Sequence, residues 1–151
     1  MVKHYQNRAF SYLLVFAQFS LIALLLWQLY PWSFPFYVLV LQILAVILGL
    51  WALKTMHLGH FNIVPDPMPD IELVTTGPYA FIRHPMYASI LFFFAPPIFT
   101  AGSSLLEWIT FIALASTLVL KLMYEEYLLK NTLADYAAYQ ERSKRIIPFI
   151  F

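Results

Sequence analysis

The sequence predicts an all-α integral membrane protein, with about four transmembrane helices and a cytosolic, amphipathic C-terminal helix that closes over a site. Three observations carry that prediction. Hydrophobic residues make up 62% of the chain and charged residues only 11%, whereas a soluble domain carries about 45–50% and about 25%. The apolar residues gather into four runs, close to the roughly 20 residues that a bilayer-crossing helix needs. All nine lysines and arginines fall on one side of the membrane that those runs imply, the asymmetry expected of cytoplasmic segments. With 151 residues, the chain reads as a single domain, 1–151.

The first run, 10–30, holds only small polar residues and two glutamines among its apolar ones, and Pro31 ends it. It is longer than the apolar region of about 7–15 residues in a signal peptide, and no small-residue cleavage site follows, so it reads as a span. The second run, 36–53, follows the tight turn Pro31-Trp-Ser-Phe-Pro35. The third, 86–100, is shorter and is expected to break at Pro96-Pro97; the fourth is 105–122. Trp27, Tyr30, Trp32, Trp51 and Trp108 sit near span ends, where amphipathic rings favour the headgroup level.

The loop 54–85 is proline-rich and too polar for lipid. Lys3 and Arg8 precede the first span, Lys54 and Arg83 flank the middle loop, and Lys121, Lys130, Arg142, Lys144 and Arg145 are assigned to the region following the fourth span. The turns 31–35 and 101–104 contain no basic residue. Both termini, the loop 54–85 and the tail 123–151 are therefore expected in the cytosol. From 124 to about 143 the tail has helical composition without Gly or Pro. Asp135, Tyr139 and Arg142 recur at i, i+4 and i+7 on one face of that helix, with Tyr136 beside Tyr139. The apolar end, 146–151, is expected to rest on the membrane or against the bundle.

Several function classes are excluded. There is no cysteine, hence no disulfide or thiolate chemistry, and a net charge of +1 gives nothing for nucleic acid to bind. The four glycines, Gly49, Gly59, Gly77 and Gly102, stand far apart, which rules out a Gly-rich Rossmann turn or a P-loop. No Gly-x-Ser-x-Gly elbow is present. His57 and His60, with Asp66 and Asp70, have a spacing that suggests a metal. Gly59 and the following prolines oppose a rigid ligand-bearing helix, and no thiolate completes a structural zinc set.

Polar residues concentrate in two places. Gly77-Pro-Tyr-Ala-Phe-Ile-Arg-His-Pro-Met-Tyr87 brings Arg83 and His84 to the lip of the third span, where a cation is costly unless it pairs or binds something. Pro85 suits the first turn of that helix, where its missing N–H costs nothing. Arg83 also reads as a snorkelling anchor and His84 as a cap. Glu125-Glu126 marks the exit of the fourth span; the pair reads either as solvated interface acids or as carboxylates receiving a cationic group through a charge-assisted hydrogen bond. The tail Tyr136-x-x-Tyr139-x-x-Arg142, followed by Lys144-Arg145 and Pro148, equally suits docking to anionic lipid.

In this order, Leu73-Val-Thr-Thr-Gly-Pro-Tyr-Ala-Phe-Ile-Arg-His-Pro-Met-Tyr87, Glu125-Glu126, Tyr136-x-x-Tyr139-x-x-Arg142 and Ile147-Pro148 resemble the isoprenylcysteine carboxyl methyltransferase family. Its superfamily also takes in phospholipid N-methyltransferases and small bacterial relatives. The resemblance covers roughly 51–151; the first two spans match only as hydrophobic helices. It implies methyl transfer from S-adenosylmethionine to a lipidic or hydrophobic small molecule, in a bacterial inner membrane with the site facing the cytoplasm. Carried over, Arg83, His84, Pro85 and Tyr87 contact the adenosine or carboxylate end of the cofactor, and Gly77, Pro78 and Tyr79 shape the pocket wall. One of Glu125 and Glu126 holds the cofactor's amino group, Tyr136 and Tyr139 close over it, and Arg142 orients an anionic substrate. Two departures are Ser89, where relatives usually have Gly, and Leu133-Ala134, where Phe-Gly is common.

Such a site needs alignment of nucleophile, methyl and sulfur above all. A carboxylate acceptor needs no base; an amine must lose a proton, and His84, Tyr139 or a glutamate is the candidate base. Two other classes compete. One is a reductase-like relative using NADPH, since membrane sterol reductases carry a similar Arg-His-Pro segment in a longer chain. The other is a non-enzymatic membrane protein whose basic tail docks lipid or a partner.

Overall fold

A computed structural model describes residues 7–31, 33–56, 64–65, 72–100 and 102–148. Five α-helices follow one another: α1 Arg8–Gln28, α2 Phe36–Met56, α3 Pro85–Ile98, α4 Leu105–Thr132 and α5 Tyr136–Arg142, with a 3₁₀ turn at Gly77–Ala80. No strand element occurs among the described residues, only an isolated parallel bridge between Ile82 and Lys144. Three helices, α1, α2 and α4, are long and apolar enough to cross a membrane; α3 is apolar but has 14 residues. At 1.5 Å per residue α3 spans about 21 Å, less than the roughly 30 Å of hydrocarbon. Large side chains such as Phe16, Leu44 and Ile112 are more than half exposed, a surface suited to lipid rather than water.

Glutamines within the spans show how the helices pair. Gln18 accepts from Lys121 Nζ at 2.8 Å and Gln28 Nε2 donates to Thr110 at 3.1 Å, both joining α1 to α4. Gln42 Nε2 on α2 donates to the Phe93 carbonyl of α3 at 3.4 Å. That carbonyl would otherwise bond the N–H four residues on, which Pro97 lacks. In a bilayer an orphaned carbonyl is expensive, so Gln42 fills the gap that the proline leaves. The expected break at Pro96-Pro97 is thereby deferred: both prolines lie inside α3, which ends at Ile98.

The packing follows the same pairs. α2 lies along α3, α1 along α4, and α3 touches α4; α1 and α2 make no extended contact. Gly49 on α2 faces Ser89 on α3 so closely that a Cβ there would stand 2.9 Å from the Ser89 hydroxyl. Ser89, the departure noted in the sequence, is accommodated by a glycine opposite. Leu25, Leu29, Phe94, Ile98, Leu114 and Leu118 form one buried cluster. Ile82, Ala88, Leu122 and Ile146 form another at the end where the functional motifs lie.

Two expectations about the tail change. The fourth helix does not end near Leu122 but runs on to Thr132, and the single helix expected over 124–143 is interrupted at 133–135. Asn131 and Thr132 hydrogen-bond back to the carbonyls of Tyr127 and Leu128 at 2.8 Å each, competition of the kind that weakens helix ends. Leu133 is extended, and α5 turns back so that Tyr136 and Tyr139 are buried. Asp135, placed on the face of Tyr139 by the periodicity, is instead the exposed residue preceding α5. Lys121, read as a flanking charge, is 2% exposed within α4. Lys3, Trp32, His57, His60, Asp66, Asp70 and residues 149–151 lie outside the described residues.

Candidate functional site

The site is built where the turn before α3, the far end of α4 and the tail converge. Gly77 has φ +58, a left-handed conformation that side chains disfavour. A Cβ there would also meet Thr55 Oγ1 at 2.7 Å. Pro78 and Tyr79 follow, both buried, and Tyr79 is held against the base of α2. The chain then runs extended through Ile82 and Arg83. There the tail pairs with it in parallel: Arg83 N–H donates to Lys144 O at 2.7 Å, His84 N–H to Arg145 O at 3.0 Å, and Lys144 N–H to Phe81 O at 3.2 Å. His84 caps α3 without a side-chain bond to its backbone, and Pro85 takes the first turn as expected.

Glu126 is the hub of the polar cluster. Its Oε1 accepts from Arg83 Nε at 2.7 Å and lies 3.3 Å from His84 Nε2. Its Oε2 accepts from Arg145 Nε at 3.1 Å and Gln140 Nε2 at 3.4 Å. The Glu126 side chain is 6% exposed and that of Arg83 8%. Arg83 continues to the tail, donating to the carbonyls of Gln140 and Ser143. One carboxylate thus ties together α3, α4 and α5, in the geometry that makes a buried ion pair tolerable: every lone pair used.

Glu125 is different. Its Oε2 accepts the Tyr87 hydroxyl at 2.7 Å and lies 3.9 Å from His84 Nδ1. Its side chain remains 25% exposed, and Oε1 has no hydrogen bond among the described residues. The His84 and Tyr87 rings stack at 5.4 Å. The two ring nitrogens of His84 thus look toward different acids, Nε2 toward Glu126 and Nδ1 toward Glu125.

Tyr139 donates to the Tyr79 carbonyl at 2.6 Å. Burial, opposed by the Ser143 hydrogen bond and Arg83, pushes its phenol from 10.0 up to about 12. Burial likewise raises Tyr79 and Tyr136, each with Glu125 adding to the effect. A phenol so held is a hydrogen-bond donor at neutral pH. Tyr136 is 2% exposed, and its hydroxyl has no hydrogen-bond partner among the described residues.

Two cavities meet at this cluster. The larger, about 380 Å³, is walled by α1, α2, α3 and α4 and lined by residues such as Gln18, Gly49, Leu53, Tyr87 and Lys121. The smaller, about 60 Å³, is lined by Glu72, Leu73, Val74, Leu129, Tyr136 and Tyr139 among others. Met56, Tyr79, Arg83, His84 and Glu125 line both.

The structure therefore gathers Gly77, Pro78, Tyr79, Arg83, His84, Pro85, Tyr87, Glu125, Glu126, Tyr136 and Tyr139 into one region. It does not bring Arg142 into the cluster: that residue is exposed, and Arg145 reaches Glu126 instead. Sequence reasoning missed Gln140, Ser143, Arg145 and the Gln18–Lys121 pair. The available signal for Lys121 was a lone cation inside an apolar helical pattern.

A membrane helical bundle with a carboxylate–histidine–arginine cluster at one end of its spans is the class this architecture defines. The sequence matches the phospholipid methyltransferase family over residues 32–135, and the chain belongs to that family. The match takes in α2 and stops before α5. Among curated proteins, no relative matches the chain. Membership implies a membrane methyltransferase.

Proposed function

We propose that the protein transfers a methyl group from S-adenosylmethionine to a lipid-borne acceptor at the cytosolic face of the membrane. One observation supports this reading most: of two adjacent glutamates, Glu126 is saturated by its partners, while Glu125, which lines both cavities, keeps one oxygen without a hydrogen bond among the described residues. The residues also suit the cofactor. The orphaned Tyr136 hydroxyl offers a donor, the rings of Tyr79, Tyr139 and His84 offer faces for an aromatic base, and Glu125 suits an ammonium group. The smaller cavity alone is too tight for the whole molecule, so the larger contributes room across their shared wall. S-adenosylmethionine supplies a methyl on a sulfonium, whose C–S pair leaves with sulfur as the acceptor's lone pair takes the carbon.

The chain's own residues then have distinct tasks. Glu126 and Arg83 fix the wall, Glu125 receives the amino group, and α5 with the parallel tail segment covers the cluster from water. Where the acceptor is an amine, His84 Nδ1 takes the proton, with Glu125 and Glu126 placed to offset the charge it gains. Positive-inside charge supports the cytosolic assignment: Arg8, Lys54, Lys130 and Lys144 are exposed at the end of the bundle that carries the site.

The test is calorimetric titration of S-adenosylhomocysteine into detergent-purified protein, with NADPH as control. Saturable binding is expected, weakened roughly 10- to 100-fold by Glu125→Gln through loss of a charge-assisted hydrogen bond. Failure of the folded wild-type protein to bind would sink the proposal and favour a docking role.

A further inference from the structure

We infer that Glu72 selects the nucleoside: at the rim of the smaller cavity it accepts from the ribose diol and turns away nucleotides that carry a phosphate there. The inference rests on the methyltransferase reading above and deepens it, adding a residue outside both polar motifs.

Most polar groups on the wall of the smaller cavity are already committed. Arg83 donates to Glu126 and to the carbonyls of Gln140 and Ser143. Tyr139 donates to the Tyr79 carbonyl, and the Tyr79 hydroxyl to Met56 Sδ at 3.8 Å. His84 stands between Glu125 and Glu126. What remains is acidic. Glu125 keeps one oxygen without a hydrogen bond, and the Glu72 carboxylate has neither a hydrogen bond nor an ion pair among the described residues. Glu72 is also the one exposed residue among those lining this cavity; Leu73, Val74, Leu129 and Leu133 are half-buried, and Tyr136 and Tyr139 are buried. That places Glu72 at the water-side rim.

The leftover charge defines what fits. Two free carboxylates attract hydrogen-bond donors and cations. They repel a phosphate, and the cation on the same wall, Arg83, is neutralised by Glu126 at 2.7 Å. The ligand of this compartment is therefore a nucleoside rich in donors and free of phosphate.

The position of each acid then sorts the parts of the ligand. Glu125 lines both cavities, whereas Glu72 lines only the smaller. In S-adenosylmethionine one sulfur joins the amino-acid chain to the adenosine. With the amino group at Glu125, the adenosine is left for the compartment of leucines and tyrosines, and its ribose hydroxyls are the donors that a rim carboxylate takes. The unpartnered hydroxyl of Tyr136, 2% exposed, belongs to the same wall and suits a purine nitrogen. In dinucleotide-binding proteins a carboxylate on the ribose hydroxyl goes with the unphosphorylated cofactor, and an arginine with the 2′-phosphate. Glu72 supplies the first of these and the wall lacks the second, so NADPH is refused on charge.

The test uses the full chain in detergent as wild type, Glu72→Ala and Glu72→Lys, with thermal melting as the check on folding. Calorimetry follows S-adenosylhomocysteine and its 2′,3′-dideoxy analogue. Ligand-observed NMR follows adenosine, 2′,3′-dideoxyadenosine and adenosine 2′-monophosphate. Glu72→Ala should weaken S-adenosylhomocysteine roughly 10-fold, the lower end for a charge-assisted bond because the carboxylate is open to water. The dideoxy analogue should bind the wild type about as weakly and lose nothing further in Glu72→Ala. Glu72→Lys should admit adenosine 2′-monophosphate, which the wild type refuses.

Equal affinity of wild type and Glu72→Ala for S-adenosylhomocysteine overturns the role of Glu72. So does a loss that the dideoxy analogue shares, because the carboxylate then acts on something other than the diol. If Glu72→Ala does not fold, equal binding of the two ligands to the wild type overturns it. Adenosine 2′-monophosphate bound by the wild type as tightly as adenosine overturns the selection. Folded wild type that binds none of these ligands overturns both this inference and the methyltransferase reading. If adenosine shows a diol preference that Glu72→Ala abolishes, while S-adenosylhomocysteine binds no better than adenosine, the nucleoside subsite stands and the methyltransferase reading falls.

Discussion

Replacing Glu126 with glutamine isolates what holds the end of the bundle together, because it changes one oxygen and no volume. Both oxygens of Glu126 accept from two donors: Arg83 and His84 on one side, Arg145 and Gln140 on the other. An amide has one acceptor oxygen and one donor nitrogen, so whichever way it turns, its NH₂ faces two donors. The less costly choice turns the NH₂ toward Arg145, whose side chain is 36% exposed and can take water instead. Arg83 then keeps an oxygen but loses its counter-charge while 8% exposed. Breaking a buried pair costs about 3–5 kcal/mol, and the open Arg145 side argues for the lower end. At ~2–4 °C per kcal/mol for a chain of this size, thermal melting in detergent should show a loss of about 6–12 °C. Arg145→Ala, by contrast, removes a half-open partner and should cost no more than about 1 kcal/mol. A fall for Glu126→Gln of under about 2 °C would falsify the view that Glu126 is a structural hub rather than a ligand-facing acid.

Gly77→Ala should destabilise by about 1–3 kcal/mol, since it puts a Cβ on a φ of +58 and 2.7 Å from Thr55 Oγ1; an unchanged melting temperature would contradict that geometry. Tyr139→Phe should cost about 1–2 kcal/mol by leaving the Tyr79 carbonyl without its donor. It should also alter the alkaline limb. Because burial raises the Tyr139 phenol from 10.0 to about 12, the folded state holds a proton that the unfolded state releases. That stability is full below pH 10 and is lost as pH rises toward 12. Melting between pH 9 and 12 should fall less steeply in Tyr139→Phe, with Tyr79 and Tyr136 leaving a residual slope of the same sign. Identical slopes would refute the assignment.

Most of the cluster was legible as residue types. Arg83-His84-Pro85 beside a span, and paired glutamates at the exit of another, are local patterns that need no tertiary information. Which glutamate does what was not legible, because Glu125 and Glu126 are adjacent and alike in every intrinsic property. Only the direction each points on α4 separates a saturated carboxylate from an available one. The tail misled for a related reason. Helical periodicity put Asp135, Tyr139 and Arg142 on one face, but the interruption at Leu133 shifts the register, exposes Arg142 and hands the contact with Glu126 to Arg145. The parallel pairing of Ile82 with Lys144 joins segments about sixty residues apart, beyond any local rule.

The sequence by itself determined that this chain belongs in a membrane, because burying so many apolar residues without charge leaves no other solvent for them. It also determined where the chemistry gathers, since polar residues are too costly near hydrocarbon to occur there without partners. Tertiary structure alone decided that Gln42 satisfies the carbonyl freed by Pro97, that Gly49 makes room for Ser89, and that Lys121 turns inward to Gln18 rather than outward to water. Each of those depends on distance between helices that the chain brings together only when folded. Periodicity gives a residue its face on a helix; what stands opposite that face is settled by packing.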